Sequence, residues 1–107
     1  MLHHISFGVA DLERSARFYD AALQALEYVR VWSDVRPGQK GQAIGYGRAG
    51  SADPFAIKLA PGMQTACGPG FHLAFAASSR QAVDDFYRAA IAAGGVDNGK
   101  PGLRPRY

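Results

Sequence analysis

The chain has 107 residues, of which 48% are hydrophobic and 20% charged, and its formal net charge is +3. This length suits a single domain with one core, and the composition excludes collagen-like, disordered and membrane-spanning chains, because no apolar run approaches about 18 residues. Lys100, Arg104 and Arg106 stand in the last eight positions, and the other nine basic residues balance nine acidic ones, so we expect no nucleic-acid binding. One cysteine and no export signal at the start predict a cytoplasmic protein.

The first sixty residues predict the element order βαβββ. Residues 2–9 alternate between two faces, as a strand with one face in a core does, and Asp11 is placed to cap a helix over residues 11–25. Turns rich in Gly, Pro and Asp separate three further predicted strands, at residues 28–33, 42–48 and 54–60.

The chain repeats itself at an offset of 68 residues, without a gap. The shift places HISF over HLAF, FYDAAL over FYRAAI, and the capping Asp11 over Ser79. A second strand–helix unit is therefore predicted, with the strand beginning at His72 and the helix over residues 79–93. We interpret residues 1–107 as one domain, with a first module over 1–60 and a second over 71–107 that stops after its helix and lacks about twenty residues.

Two histidines, His4 and His72, stand at equivalent positions of this repeat. Alternation places each on the strand face opposite its core residues, where mostly small neighbours leave open volume beside an imidazole. Imidazole is a common metal ligand, so the pair predicts a metal site. The alternative is that each histidine fills a polar gap between sheets.

The middle strands carry candidate ligand-binding side chains. Alternation places Tyr28, Arg30 and Trp32 on one face of the second strand. The third strand offers Tyr46 on one of its faces. Either set of aromatic and guanidinium groups would hold a planar or anionic small molecule. Core packing of these aromatic residues is the alternative. Lys58 is predicted on the cavity face of the fourth strand, where its charge would suit an anionic oxygen, unless it is a solvent-facing lysine of an edge strand.

The chain resembles the vicinal oxygen chelate superfamily, which includes glyoxalase I, extradiol dioxygenases and bleomycin resistance proteins, in three segments: HHISFGVADLERSARFYDAAL, PFAIKLA and GPGFHLAFAASSRQAVDDFYRAA. The resemblance implies an α+β fold in which tandem βαβββ modules form a cupped mixed sheet with the helices outside. It also implies that His4 and His72 are ligands of a divalent metal ion. Lys58 stands where glyoxalase-like members carry a glutamate ligand, so the implied set has two histidines and one carboxylate, the carboxylate coming from the last strand of the second module.

Two functions follow from the resemblance. The first is a glyoxalase- or dioxygenase-like metalloprotein that acts through a divalent metal ion on a small molecule with adjacent oxygens. The second is a metal-free small-molecule or drug-binding protein of the bleomycin-resistance type. Substrate and reaction stay open, as does whether the chain is an enzyme, with a metal-dependent lyase or dioxygenase as the candidate classes. Because an incomplete second module leaves a strand edge uncovered, we also predict a homodimer.

Overall fold

The computed structural model describes residues 2–62 and 69–103. Its elements in chain order are β1 (Ile5–Val9), α1 (Leu12–Gln24), β2 (Val29–Asp34), β3 (Ala43–Gly47), β4 (Phe55–Leu59) and α2 (Arg80–Ala92). The predicted order βαβββ and both predicted helices are confirmed, and β1 starts three residues later than predicted. Cys67, Arg104 and Arg106 lie outside the described residues.

Both helices begin at a side-chain cap. The Asp11 carboxylate accepts a hydrogen bond from the backbone N–H of Arg14 (3.1 Å), and the Ser79 hydroxyl accepts one from the N–H of Ala82 (3.0 Å). These bonds satisfy N–H groups that have no partner within the first helical turn. Each helix is 13 residues long. Within the described ranges no helix combines the length and apolarity that crossing a bilayer requires.

The four strands form one mixed sheet in the order β1-β4-β3-β2. β1 runs parallel to β4, and the two other pairs are antiparallel. A parallel pair needs a long connection between its strands, and here that connection contains α1, β2 and β3. The result is the α+β architecture that the sequence predicts.

The core lies between one face of this sheet and the helices. Leu23 of α1 and Ile57 of β4 are fully buried in it, and each such side chain contributes about 1.5–3 kcal/mol to folding. α2 packs against α1, and Phe86 of α2 contacts the core through Phe75. Both helices therefore lie on the same side of the sheet.

The strand predicted to begin at His72 is not paired with another strand in the described part of the chain. Phe75 packs edge-on against Phe55, with ring centroids 5.1 Å apart, and Leu73 also packs against the core. Alternation thus predicted correctly which side of this segment is apolar. A strand also needs a backbone partner, which alternation does not report.

Candidate functional site

Strand alternation gives the sheet two unlike faces. Phe7, Tyr46 and Ile57 point toward the helices and form part of the core. The opposite side, called the open face below, consists of Ser6, Gly8, Val29, Trp32, Asp34, Ala43, Gly45, Gly47, Ala56 and Lys58. Most of these residues are small, so the side chains at the centre of the open face extend only a short distance from the backbone.

A β-bulge in β2 separates Arg30 from Trp32. Arg30 pairs with Tyr46 whereas Trp32 pairs with Gly45, the adjacent residue of β3, so β2 contains one extra residue at this point. One extra residue reverses the alternation that follows it. Arg30 therefore lies on the core side and Trp32 on the open face, and the prediction that they share a face is wrong.

Arg30 and Tyr46 meet the carboxylate of Asp20 on α1. Arg30 donates to it from Nε (2.9 Å) and Nη2 (2.7 Å), and the Tyr46 hydroxyl donates at 2.9 Å. Tyr46 is only 1% exposed. Burial, followed by the bond to Asp20, raises the pKa of its hydroxyl far above the usual value.

The expectation that Tyr46 lines the ligand cavity therefore does not match its position. Its ring packs in the core, 6.1 Å from the ring of Phe55, which is the alternative left open by the sequence. The period-two pattern separates the faces of β3 but does not say which of them meets a helix. Arg30 and Tyr46 connect β2 and β3 to α1, on the side opposite the open face.

Trp32 lies over Gly45. A Cβ atom at position 45 would overlap the five-membered ring of the indole at Nε1, Cε2 and Cδ1, so glycine provides the space in which the ring lies. The indole N–H interacts with Asp53, and this is the main cause that lowers the pKa of the Asp53 carboxyl. Trp32 is nevertheless 39% exposed, so part of the ring meets solvent.

The sequence analysis did not identify Gly45 or Asp53 as part of this arrangement. A glycine inside an otherwise regular strand is a signal for close approach by another group, and AIGYG contains one. Asp53 stands just before β4 in a turn, where aspartate is common for local reasons. No local pattern distinguishes it from other turn residues.

Lys58 lies on the open face together with Ala56, as strand alternation predicts, and its role in binding a ligand stays a prediction. Its neighbours across the sheet are Gly8 on β1 and Ala43 on β3, and its side chain is exposed. Across residues 2–62 and 69–103 no carboxylate forms an ion pair with it. Lys58 therefore brings a positive charge to this face that is not neutralised by a neighbouring acid.

His4 precedes β1 and is exposed beside His3, with 3.0 Å between their Nδ1 atoms. After the indole of Trp32, the charges of these two imidazoles also lower the pKa of Asp53. His4 thus lies at the end of the open face where Trp32 and Asp53 interact.

His72 lies on the other side of the sheet. It lines a hollow of about 510 Å³ together with Phe7 of β1, Phe18 of α1 and Phe86 of α2. Phe7 belongs to the core side, so His72 and His4 are placed toward different faces. In the described part of the chain no three His, Cys, Asp or Glu side chains are grouped as a metal site needs. The two histidines predicted as ligands are therefore not assembled with a carboxylate here.

Comparisons with known proteins point to one family. The family profile described as "Glyoxalase/Bleomycin resistance protein/Dioxygenase superfamily" matches residues 1–106. The chain is similar to a crystal structure of a glyoxalase/bleomycin resistance protein from Albidiferax ferrireducens, with a TM-score of 0.72 and 34% identity, covering 94% of this chain and 79% of that one. It is also 34% identical over 96 residues to an uncharacterised protein of Pseudomonas aeruginosa; the match covers 87% of this chain and spans 65% of that relative's length.

Proposed function

Because this chain belongs to the glyoxalase/bleomycin resistance protein/dioxygenase superfamily, we propose that it binds a small molecule on the open face of its sheet. The observation that carries the proposal is the position of Trp32 and Lys58. Both are exposed on the face opposite the helices, whereas the other face contributes Phe7, Tyr46 and Ile57 to the core. An exposed aromatic ring and a charge without an ion-pair partner are groups that bind small molecules in many ligand sites.

The hollow around His72 is the competing location. It is larger than a single aromatic ring needs, and its lining is apolar except for His72 and Tyr19. Ligand sites combine apolar surface with a few polar groups that fix orientation. The open face offers an indole and an ammonium group, with the imidazole of His4 and the carboxylates of Asp34 and Asp53 beside them, and this mixture favours it over the hollow.

Nuclear magnetic resonance of the ¹⁵N-labelled chain tests this location. A fragment set of aromatic and aliphatic acids, amides and amines should include ligands that shift the Trp32 indole N–H resonance and the amide of Gly45. Trp32→Leu should weaken these ligands. Phe71→Leu is the matched control, because Phe71 is a similarly exposed aromatic residue (43%) that lines the hollow instead. Shifts confined to Phe71 and its neighbours, or no shifts at all, would overturn the proposal.

A metal-dependent reaction is the second candidate, and the position of His4 on the side of the open face favours it. A divalent ion would polarise two adjacent substrate oxygens when bound. The described residues do not fit such an ion as they stand, because the segment that carries His72 packs on the core side of the sheet, away from His4. In addition, Lys58 stands where the resemblance implies a carboxylate ligand in glyoxalase-like members. This candidate therefore needs a rearrangement of His72 and a third ligand. Its test is the metal measurement given in the Discussion.

A further inference from the structure

The open face has two recognition groups at a separation set by the sheet. The indole of Trp32 extends over Gly45 on β3. Lys58 on β4 pairs with Ala43, which is two residues along β3 from Gly45. Diagonal neighbours of this kind lie about 7–8 Å apart. The ammonium group of Lys58 is therefore within reach of the rim of a small molecule whose ring rests on the indole.

The sheet beneath these two groups is built from small residues. Gly45 pairs with Ala56, and Ala56 pairs in turn with Ser6. Gly45 is buried under the indole and Ala56 is only 4% exposed, so a ligand meets the exposed part of the indole and not the sheet below it. A planar ring can stack on that exposed part, whereas a puckered ring loses the stacked contact.

Charge then selects the sign of the ligand. Asp34 shares the open face with Lys58 but is ion-paired with Arg36, and the carboxylate of Asp53 interacts with the indole N–H. Among the described residues Lys58 has no carboxylate partner. A ligand anion placed there gains an attraction without displacing an existing ion pair, and a ligand cation is repelled.

We propose that the open face selects planar aromatic anions, with the ring stacked on Trp32 and the anionic oxygen at the Lys58 ammonium group. This inference rests on the proposed function, because it names the ligand class of the same surface. Gly45 acts as a positioning residue, since it provides the space in which the indole lies. The proposal requires no metal ion and no chemical step.

The test uses chelator-treated protein and four probes: benzoate, benzamide, benzylamine and cyclohexanecarboxylate. Benzamide and benzylamine keep the ring and change the charge, and cyclohexanecarboxylate keeps the charge and removes the planarity. Because Trp32 is the one tryptophan, its indole N–H resonance and its fluorescence report on this site alone. We expect benzoate to bind about threefold or more tightly than each of the others, from one stacked ring pair and one exposed charge pair.

Two variants assign these preferences to residues. Lys58→Met should abolish the preference for benzoate over benzamide and keep the preference over cyclohexanecarboxylate. Trp32→Leu removes the indole reporter, so its binding is followed by the backbone amide of Gly45, and it should abolish the preference over cyclohexanecarboxylate. Lys40→Met is the matched control, since Lys40 is an exposed lysine in the loop between β2 and β3 and should leave both preferences unchanged.

The outcomes separate this inference from the proposed function. If benzamide or benzylamine shifts the indole resonance as strongly as benzoate, charge selection is wrong, while small-molecule binding on the open face stands. If cyclohexanecarboxylate binds as tightly as benzoate, the stacking on Trp32 is wrong. Loss of the preference for benzoate over benzamide in Lys40→Met would show that the charge acts without contact, which also overturns the role of Lys58. If no ligand of any class perturbs the open face, both proposals fall.

Discussion

Replacing Tyr46 with phenylalanine tests the link between the sheet and α1. The substitution removes one hydroxyl that donates to the Asp20 carboxylate at 2.9 Å and leaves the buried ring in place. A hydrogen bond to a charged group contributes about 1.5–3 kcal/mol. Asp20 keeps both bonds from Arg30 and its side chain is 41% exposed, so water replaces part of the loss. We expect the free energy of unfolding to fall by about 1–1.5 kcal/mol, at the low end of that range.

Urea and thermal unfolding followed by circular dichroism measure this change. In a domain near 100 residues, each kcal/mol of lost stability lowers the melting temperature by about 4–8 °C. Tyr28→Phe is the control, because within the described residues the hydroxyl of Tyr28 makes no hydrogen bond. In an Asp20→Ala background Tyr46→Phe should cost less than in the natural sequence. An equal cost in both backgrounds would refute the assignment of the stabilisation to this pair.

The same substitution alters how stability depends on pH. The folded chain raises the pKa of the Tyr46 hydroxyl above its unfolded value of 10.0, so the unfolded state releases this proton first as the pH rises. The natural chain should therefore lose stability above about pH 10, by at most about 1.4 kcal/mol per pH unit from this group. Unfolding curves of Tyr46→Phe should show a shallower loss over that window. Identical slopes in the two proteins would contradict the raised pKa.

Three further predictions concern the metal, the assembly and the loop after β2. Elemental analysis after dialysis against zinc should find well below one ion per chain, because two histidines on different sides of the sheet make a weak site. Stoichiometric metal that remains in both His4→Ala and His72→Ala would show that the metal site lies elsewhere. Light scattering should give a homodimer, since β1 and β2 are sheet edges among the described residues; a monomer at micromolar concentration contradicts this. Gln42→Ala should lower the free energy of unfolding in urea by about 1–3 kcal/mol, because the buried amide accepts a hydrogen bond from the Arg36 N–H and donates one to the Gln39 carbonyl (both 2.9 Å). An unchanged free energy of unfolding would show that these two hydrogen bonds do not stabilise the loop.

Much of the fold is local information that the sequence contains. The helix after Asp11 depends on a cap three residues from its partner N–H and on apolar side chains three or four residues apart, all within one segment. The repeat at an offset of 68 residues located the second helix in the same way. Lys58 was placed on the correct face because β4 contains no irregularity to interrupt its alternation.

The candidate site depended on relations between distant segments. The bulge in β2 exists only in its pairing with β3, and that pairing sends Arg30 to the core and Trp32 to the open face. The space for the indole depends on Gly45, 13 positions further along the chain, and the side on which His72 lies depends on how its segment packs against α1 and α2. A strand pattern reports alternation within a segment, whereas register and packing partner are set by contacts between segments. One extra residue in a pairing is enough to exchange the two faces, so only the tertiary structure decides which side chains meet a ligand.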